Sequence, residues 1–442
     1  MSALPLPLKG LRVIDMTVVW AGPFATVLLG DMGAELVRVE SLQYVDVNTR
    51  GQAMVPPAML TGQGGQSYPN RDPGPRPWNR YSQFNQTGRN KKSFTVDLTK
   101  PKGREIFFRL VQQSDVFIEN NAADVIENLN ITYDVLSKVN PNLIMMSLPA
   151  FGRTGPYKHF KAYGVIMEAV IGHTWLRTYP DSDPTSTTAS FMADAAGGAS
   201  AVFAILSALY HRIKTGHGQH IDMSQSENVT HYLSQALMDY SMNGRVQETM
   251  GNRDPSRAPQ GVYPCAGEDM WVAISCGSDL EFRCLCRAMG RPELADDPRF
   301  RDSTSRYKNQ DELDPEIMVW TLDKDHYEVF HTLQQAGVTA GPVLTTPEVF
   351  DDPHLLSRGF WETIIHPEAG THVFPGPIIE MAKTPLHIWG RQPLLGEHNE
   401  YVYKDLLGYS DAEFQQLVSE DYIGDTYIVA RERQQVQPSL DA

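Results

Sequence analysis

The stretch Leu11–Met16, "LRVIDM", followed by Trp20–Glu40, "WAGPFATVLLGDMGAELVRVE", decides the fold class. The first piece is a short β-branched and apolar run, which predicts a buried strand. Pro23 suits the first turn of a helix, where a missing N–H costs nothing. Gly33 suits its stop. Leu36–Glu40 then predicts a second strand. A strand, a short helix and a second strand make a βαβ unit, which implies a parallel sheet.

The alternation continues outward from this unit. "SFTVDL" (Ser93–Leu98), "DVFIEN" (Asp115–Asn120) and "NLIMMSL" (Asn142–Leu148) predict further strands. Between them, Lys100–Ser114 and Thr132–Asn140 predict helices, the former with Ile106, Phe107, Leu110 and Val111 on one face. This pattern is that of a doubly wound, Rossmann-like α/β sheet. The chain lacks GxGxxG and GxxxxGK[ST], so standard pyrophosphate binding is not supported. Ser41–Asn90 is a long insertion rich in Gly, Pro, Gln and Asn, the composition of a lid or binding loop.

The run "SFMADAAGGAS" (Ser190–Ser200) opens the strongest helical pattern in the chain. Val202, Ile205, Leu206, Leu209, Tyr210 and Ile213 recur at helical spacing as one apolar stripe, and Gly216 ends it. The helix should run about 20 residues, or roughly 30 Å. Beyond Asn228 the texture changes. "GVYPCAGEDMWVAISC" predicts an antiparallel hairpin, and 279–290, 314–322 and 326–337 predict helices. These observations divide the chain into a large domain of residues 1–227 and 345–442 and a smaller mixed α/β domain of 228–344.

The 442 residues carry a formal net charge of −15, which argues against nucleic acid as a partner. An anionic ligand would then need a local basic site, and "GRNKKS" (Gly88–Ser93) is a candidate. The N-terminus has no pattern of a signal peptide, and no apolar stretch is read as long enough to cross a bilayer. The four cysteines, Cys265, Cys276, Cys284 and Cys286, are too few for a disulfide scaffold, so reduced thiols in a cytoplasmic protein are expected. His211, His217 and His220 lie together in one loop without an acidic partner at ligand spacing, so no metal is expected there. No GxSxG or HExxH occurs.

Asp194 is the single charge in Ser190–Ser200. Its position at a helix start predicts an N-cap, and the helix N-terminus should lower its pKa. An ionised carboxylate can also attack an acyl carbon. The neighbours Ala193, Ala195, Ala196, Gly197 and Gly198 leave room for a ligand, and their amides suit a developing oxyanion. The bland reading of the glycines is close helix packing.

Five segments in order, "LKGLRVIDMT…AGPFATVLLGDMGAELVRVE", "NKKSFTVDL", "FGRTGPY", "ALYHRIKTGHGQHIDMSQSE" and "PLLGEHN", resemble the class III CoA-transferase family, of the formyl-CoA and carnitine CoA-transferase type. The resemblance implies transfer of CoA from an acyl-CoA thioester to a free carboxylic acid. It implies no permanently bound cofactor, with the CoA thioester as substrate. It makes Asp194 the nucleophile, acting through a mixed anhydride and an aspartyl-CoA thioester. It further implies CoA contacts at Trp20 and Ala21, at Val96, Asp97, Leu98 and Thr99, at Asn120 and Asn121, and at Lys161, Ala162 and Tyr163. Family members are interlocked homodimers, and the same is expected here, with the site between the domains.

The chain also departs from the family. Ser41 and Asn128 stand where arginines near the CoA phosphates are usual, and Arg38, Lys91, Lys92 and Lys100 are the candidate replacements. The glycine-rich loop of formyl-CoA transferases is replaced by "GNRDPSRAPQG" (Gly251–Gly261), which disfavours formyl and oxalate substrates. Tyr163-Gly164 replaces the His-Asp pair of members that racemise 2-methylacyl-CoA. A racemase or isomerase on the same fold and an inactive CoA-binding subunit remain the alternative readings. Trp175, Tyr179 and the Ser41–Asn90 loop are candidates to shape the acyl pocket.

Overall fold

Strand β1 (Arg12–Met16) leads into helix α1 (Ala21–Asp31) and strand β2 (Glu35–Glu40) in the computed structural model, which describes residues 5–436. The first four residues of the N-terminal stretch therefore lie outside the described part. β3 (Lys91–Thr95), helix α2 (Pro101–Gln112), β4 (Val116–Glu119), helix α3 (Tyr133–Val139) and β5 (Ile144–Ser147) follow. Helix α4 (Gly164–Val170) and the long helix α5 (Met192–Thr215) precede β6 (His220–Asp222). Among the described residues the six strands form one sheet in the order β3-β2-β1-β4-β5-β6, and every pairing is parallel.

The period of two in β1 sends alternate residues to opposite faces. Val13 joins Leu36, Val116, Ile118, Ile144 and Met146 under α1 and α5. Ile14 joins Val37, Phe94, Phe117 and Met145 under α2. That second face is completed by Val402, Tyr403, Tyr409 and Phe414 from the C-terminal part of the chain. Each such side chain contributes about 1.5–3 kcal/mol when fully buried.

Several expectations shift. β3 starts at Lys91 and ends at Thr95, so Val96, Asp97 and Leu98 follow the strand and do not belong to it. α5 has 24 residues. Of its expected stripe, Val202, Ile205 and Leu209 are buried, but Tyr210 and Ile213 are 63% and 78% exposed, beside Phe203 at 74%. By length and composition alone α5 is long and apolar enough to cross a membrane, which corrects the sequence reading. Half of its most apolar window is buried, as in a core helix. Gly198 explains its approach to α1: a Cβ there would meet the Ala21 carbonyl and the Phe24 ring at 2.8 Å each.

The chain divides into two compact units, residues 1–171, 189–235 and 360–442, and residues 172–188 and 236–359. In the second, β7 (Gln260–Pro264), β8 (Trp271–Ser275) and β9 (Thr339–Val343) form an antiparallel sheet in that order. Helices α6 (Asp279–Ala288), α7 (Gln310–Thr321) and α8 (His326–Gln335) supply the core partners Phe282, Leu285, Leu313, Ile317, Val329 and Leu333. In the first unit, β10 (Trp361–His366) and β11 (Gly370–Pro375) form a separate hairpin.

Candidate active site

Asp194 lies in the first turn of α5, but it does not cap the helix. The N-cap position is Phe191, whose backbone is left-handed at φ 54° and whose side chain makes no capping bond. Glu168 of α4 does the capping from another helix. Its carboxylate accepts the Met192 N–H at 2.7 Å, the Ala193 N–H at 3.4 Å and the Ser190 hydroxyl at 3.0 Å. Two of the orphan donors of α5 are thereby satisfied without the Asp194 side chain. This corrects the capping expectation and leaves the Asp194 carboxylate free for other work.

Three elements enclose that carboxylate, and Asp194 as a whole is only 7% exposed. The first residue of α4 presents no side chain: a Cβ on Gly164 would stand 2.1 Å from Asp194 Oδ2. The Ala21 N–H, at the start of α1, faces the carboxylate and favours its charged form. Glu168 brings a second negative charge. Burial pushes the Asp194 pKa up to about 6, the Ala21 N–H opposes that rise, and Glu168 adds to it. The expected lowering by the helix N-terminus is therefore reversed, because loss of water outweighs the backbone dipoles.

Gly197 and Gly198 lie one turn further along α5. Amides beyond the first turn are engaged inside the helix, so they are not the oxyanion donors expected of them. Gly197 faces Gln225 and Gly198 faces α1, as helix packing requires. Ala21, at the first position of α1, offers its N–H instead. The Trp20 ring, just before it, packs on Phe191 with centroids 5.5 Å apart. The residues that immediately precede α1 and α5 are thus an aromatic pair.

Residues 8–399 match CoA-transferase family III. The chain belongs to that family. It is 33% identical over 419 residues to succinyl-CoA–D-citramalate CoA-transferase of Chloroflexus aurantiacus, covering 93% of this chain and 97% of that one. It is 34% identical to succinate–glutarate CoA-transferase of Agrobacterium fabrum, covering 90% and 96%. A solved CAIB/BAIF family protein from Brucella suis superposes with a TM-score of 0.76 at 31% identity, over 91% of this chain and all of that one. The chain is thus a class III CoA-transferase enzyme, and CoA thioesters are the substrates of this class.

The positions that the resemblance links to CoA fall into distinct settings in the transferase. Val96 and Leu98 bury their side chains in the sheet core. Asp97 is buried and accepts the Thr99 N–H and hydroxyl, while Thr99 itself is exposed. Asn120 bonds the backbone of Val18, just after β1, and Asn121 bonds that of Met16, the last residue of β1. Lys161 and Tyr163 are exposed, and Ala162 packs with Met167, Ala193 and Val229. Trp175 and Tyr179 belong to the second unit.

The cations of the basic stretch Gly88–Ser93 are engaged by carboxylates of the fold. Arg89 pairs with Asp31 at 2.7 Å, and buried Lys91 pairs with Asp15 at 2.9 Å. Arg38 is buried between Asp15 and Glu40. Lys92 pairs with Glu35 at 3.4 Å. Lys100 remains half exposed next to Thr99, paired with Asp97 at 3.3 Å.

Sequence reasoning missed Glu168, Asn48 and Thr49. Asn48 donates to the Tyr163 hydroxyl at 3.1 Å, and Thr49 accepts the Val19 N–H at 2.8 Å. Both come from the Ser41–Asn90 insertion. Just after them, Arg50 anchors the segment through a two-pronged contact to Glu40, 2.7 Å on each arm. The insertion is thus in part a packed structure, with Trp78, Asn79 and Phe84 buried, and not only a loop.

Proposed function

We propose that Asp194 is the nucleophile of a reaction that moves CoA from an acyl-CoA thioester to a free carboxylic acid. The observation that carries this reading is the Asp194 carboxylate itself: enclosed, released from capping, faced by the Ala21 N–H, and packed directly against the bare backbone of Gly164.

An Asp194 oxygen attacks the thioester carbonyl carbon, the C–S bond breaks, and CoA leaves as thiolate. The product is an anhydride between Asp194 and the acyl group. The thiolate attacks Cγ of Asp194, which releases the donor acid and forms an aspartyl-CoA thioester. The acceptor carboxylate then attacks Cγ, expels the thiolate and forms a second anhydride. Thiolate attack on the acceptor acyl carbon completes the new thioester and returns Asp194 as a carboxylate. One thioester replaces another, so no ATP is required. The raised pKa makes Asp194 a stronger nucleophile while leaving it ionised at neutral pH. The Ala21 N–H suits the negative oxygen that develops on Asp194 when its Cγ is attacked.

Exposed Phe203, Tyr210 and Ile213 on α5 support the homodimer reading, as do exposed Leu237, Met238, Tyr240 and Met242 in helix Ser234–Asn243. A mass in solution of twice the chain is expected from light scattering. The four free thiols suit a cytoplasmic setting.

Trapping tests the route. Succinyl-CoA is the first donor to try, because succinate recurs in the names of both relatives. The enzyme is incubated with donor and hydroxylamine, and peptides are read by mass spectrometry. A hydroxamate at Asp194 supports the covalent path; a donor that turns over and leaves Asp194 unmodified rejects it.

A further inference from the structure

The turn between β1 and α1 is held from Met16 to Val19 by side chains from nearby and from elsewhere in the chain. Met16 O accepts from Asn121 Nδ2 at 3.1 Å. The Thr17 N–H donates to Asp15 Oδ1 at 2.9 Å. At Val18 both backbone groups are engaged by one side chain: the N–H donates to Asn120 Oδ1 at 2.7 Å, and the carbonyl accepts from Asn120 Nδ2 at 2.9 Å. The Val19 N–H donates to Thr49 Oγ1 at 2.8 Å, and the Thr49 hydroxyl proton goes to Asp46 Oδ2.

Val19 explains why so much hardware is needed. Its φ is +64°, a left-handed backbone that a β-branched residue adopts only under constraint. Such a conformation costs about 1–3 kcal/mol and persists only where the surroundings enforce it. Two residues later the chain reaches Ala21, whose carbonyl lies against Gly198 of α5 and whose N–H faces Asp194. A relaxed Val19 would turn the start of α1, and with it that N–H, away from the carboxylate.

We propose that Asn120 and Thr49 are a two-sided clamp on Val18–Val19 that sets the Ala21 N–H against Asp194. Both are positioning residues. This differs from the resemblance, which makes Asn120 a CoA contact: here its oxygen and one of its N–H groups are already taken by Val18. For Thr49 itself the resemblance implies no role. The inference rests on Asp194 being the nucleophile.

The test compares Asn120→Ala, Thr49→Val and Thr49→Ser with the unaltered enzyme. Turnover is measured with succinyl-CoA, or with the first acyl-CoA of a panel that supports it, and free CoA binding is measured by calorimetry. Because the two clamp residues act from opposite sides, a variant that fails to fold leaves the other as the test. Asn120→Ala and Thr49→Val should each lower kcat about tenfold or more. KM and the CoA dissociation constant should stay within about threefold, and Thr49→Ser should keep most of the turnover. The acid limb of kcat should move to higher pH, since Ala21 opposes and Glu168 supports the raised Asp194 pKa. Unaltered kcat in either variant, a loss confined to CoA affinity, or a serine variant as slow as the valine one overturns the clamp. An Asp194→Asn control separates the two claims. If it is inactive while the clamp variants are normal, only the clamp falls; if it turns over normally, the nucleophile reading falls.

Discussion

Gly164 stands so close to Asp194 that a single methyl group would meet Oδ2 at 2.1 Å. The clash falls on the end of a side chain and not on backbone, so the fold can absorb it by swinging the carboxylate aside. Gly164→Ala should therefore fold with a near-normal melting temperature. Its kcat should fall by about tenfold or more, because the nucleophile no longer points where the thioester binds. A variant with normal kcat would show that the carboxylate need not hold this position.

Glu168 has two effects that one substitution can separate. Glu168→Gln keeps an oxygen for the Met192 N–H but removes the charge that helps raise the Asp194 pKa. The acid limb of kcat/KM should move to lower pH. Glu168→Ala also removes the cap from α5 and should cost about 1–2 kcal/mol of stability. Equal melting temperatures for the two variants would argue against the capping role.

The pH dependence of Asp194 has a definite sign. With its folded pKa raised from 3.8 to about 6, turnover should fall as pH drops through about 6, because the protonated acid does not attack. Stability runs the other way. Between about 4 and 6 the folded state binds more protons than the unfolded one, so this residue's penalty grows as pH rises and is complete above about 6. Asp194→Asn should raise the melting temperature at pH 7.5, and the gain should vanish near pH 4. Calorimetric scans at both values check this.

The Lys91–Asp15 pair should matter for folding and not for CoA. Burial lowers the Lys91 pKa to about 8, while Lys91 and Arg38 overcome the desolvation of Asp15 and hold it at about 2. Lys91→Met leaves Asp15 buried with Arg38 at 3.6 Å and should destabilise by about 3 kcal/mol. CoA affinity by calorimetry should be unchanged. A selective loss of CoA binding would restore the basic stretch as a phosphate site.

The first βαβ unit was legible because its apolar period, Pro23 and Gly33 all agree, and Gly33 does take a φ of +97°. β3 was misplaced because a buried lysine reads as surface; only the distant Asp15 makes Lys91 a strand residue. β9 escaped because "TAGPV" carries Gly341 and Pro342, which mark a turn in any local reading. Asp194 was legible as a lone charge among small residues. Glu168 was not, since it caps a helix that begins 24 positions later. The same holds for Thr49, whose partner Val19 lies 30 positions earlier and whose need is visible only once the φ of Val19 is known.

One face of the parallel sheet is finished by Tyr403, Tyr409 and Phe414. During synthesis the strands that carry Ile14, Phe94 and Phe117 emerge hundreds of residues before the aromatic groups that cover them. That greasy surface must wait, uncovered, until the ribosome has nearly reached the end of the message. A nascent chain stalled before codon 400 should accordingly be a strong client for chaperones.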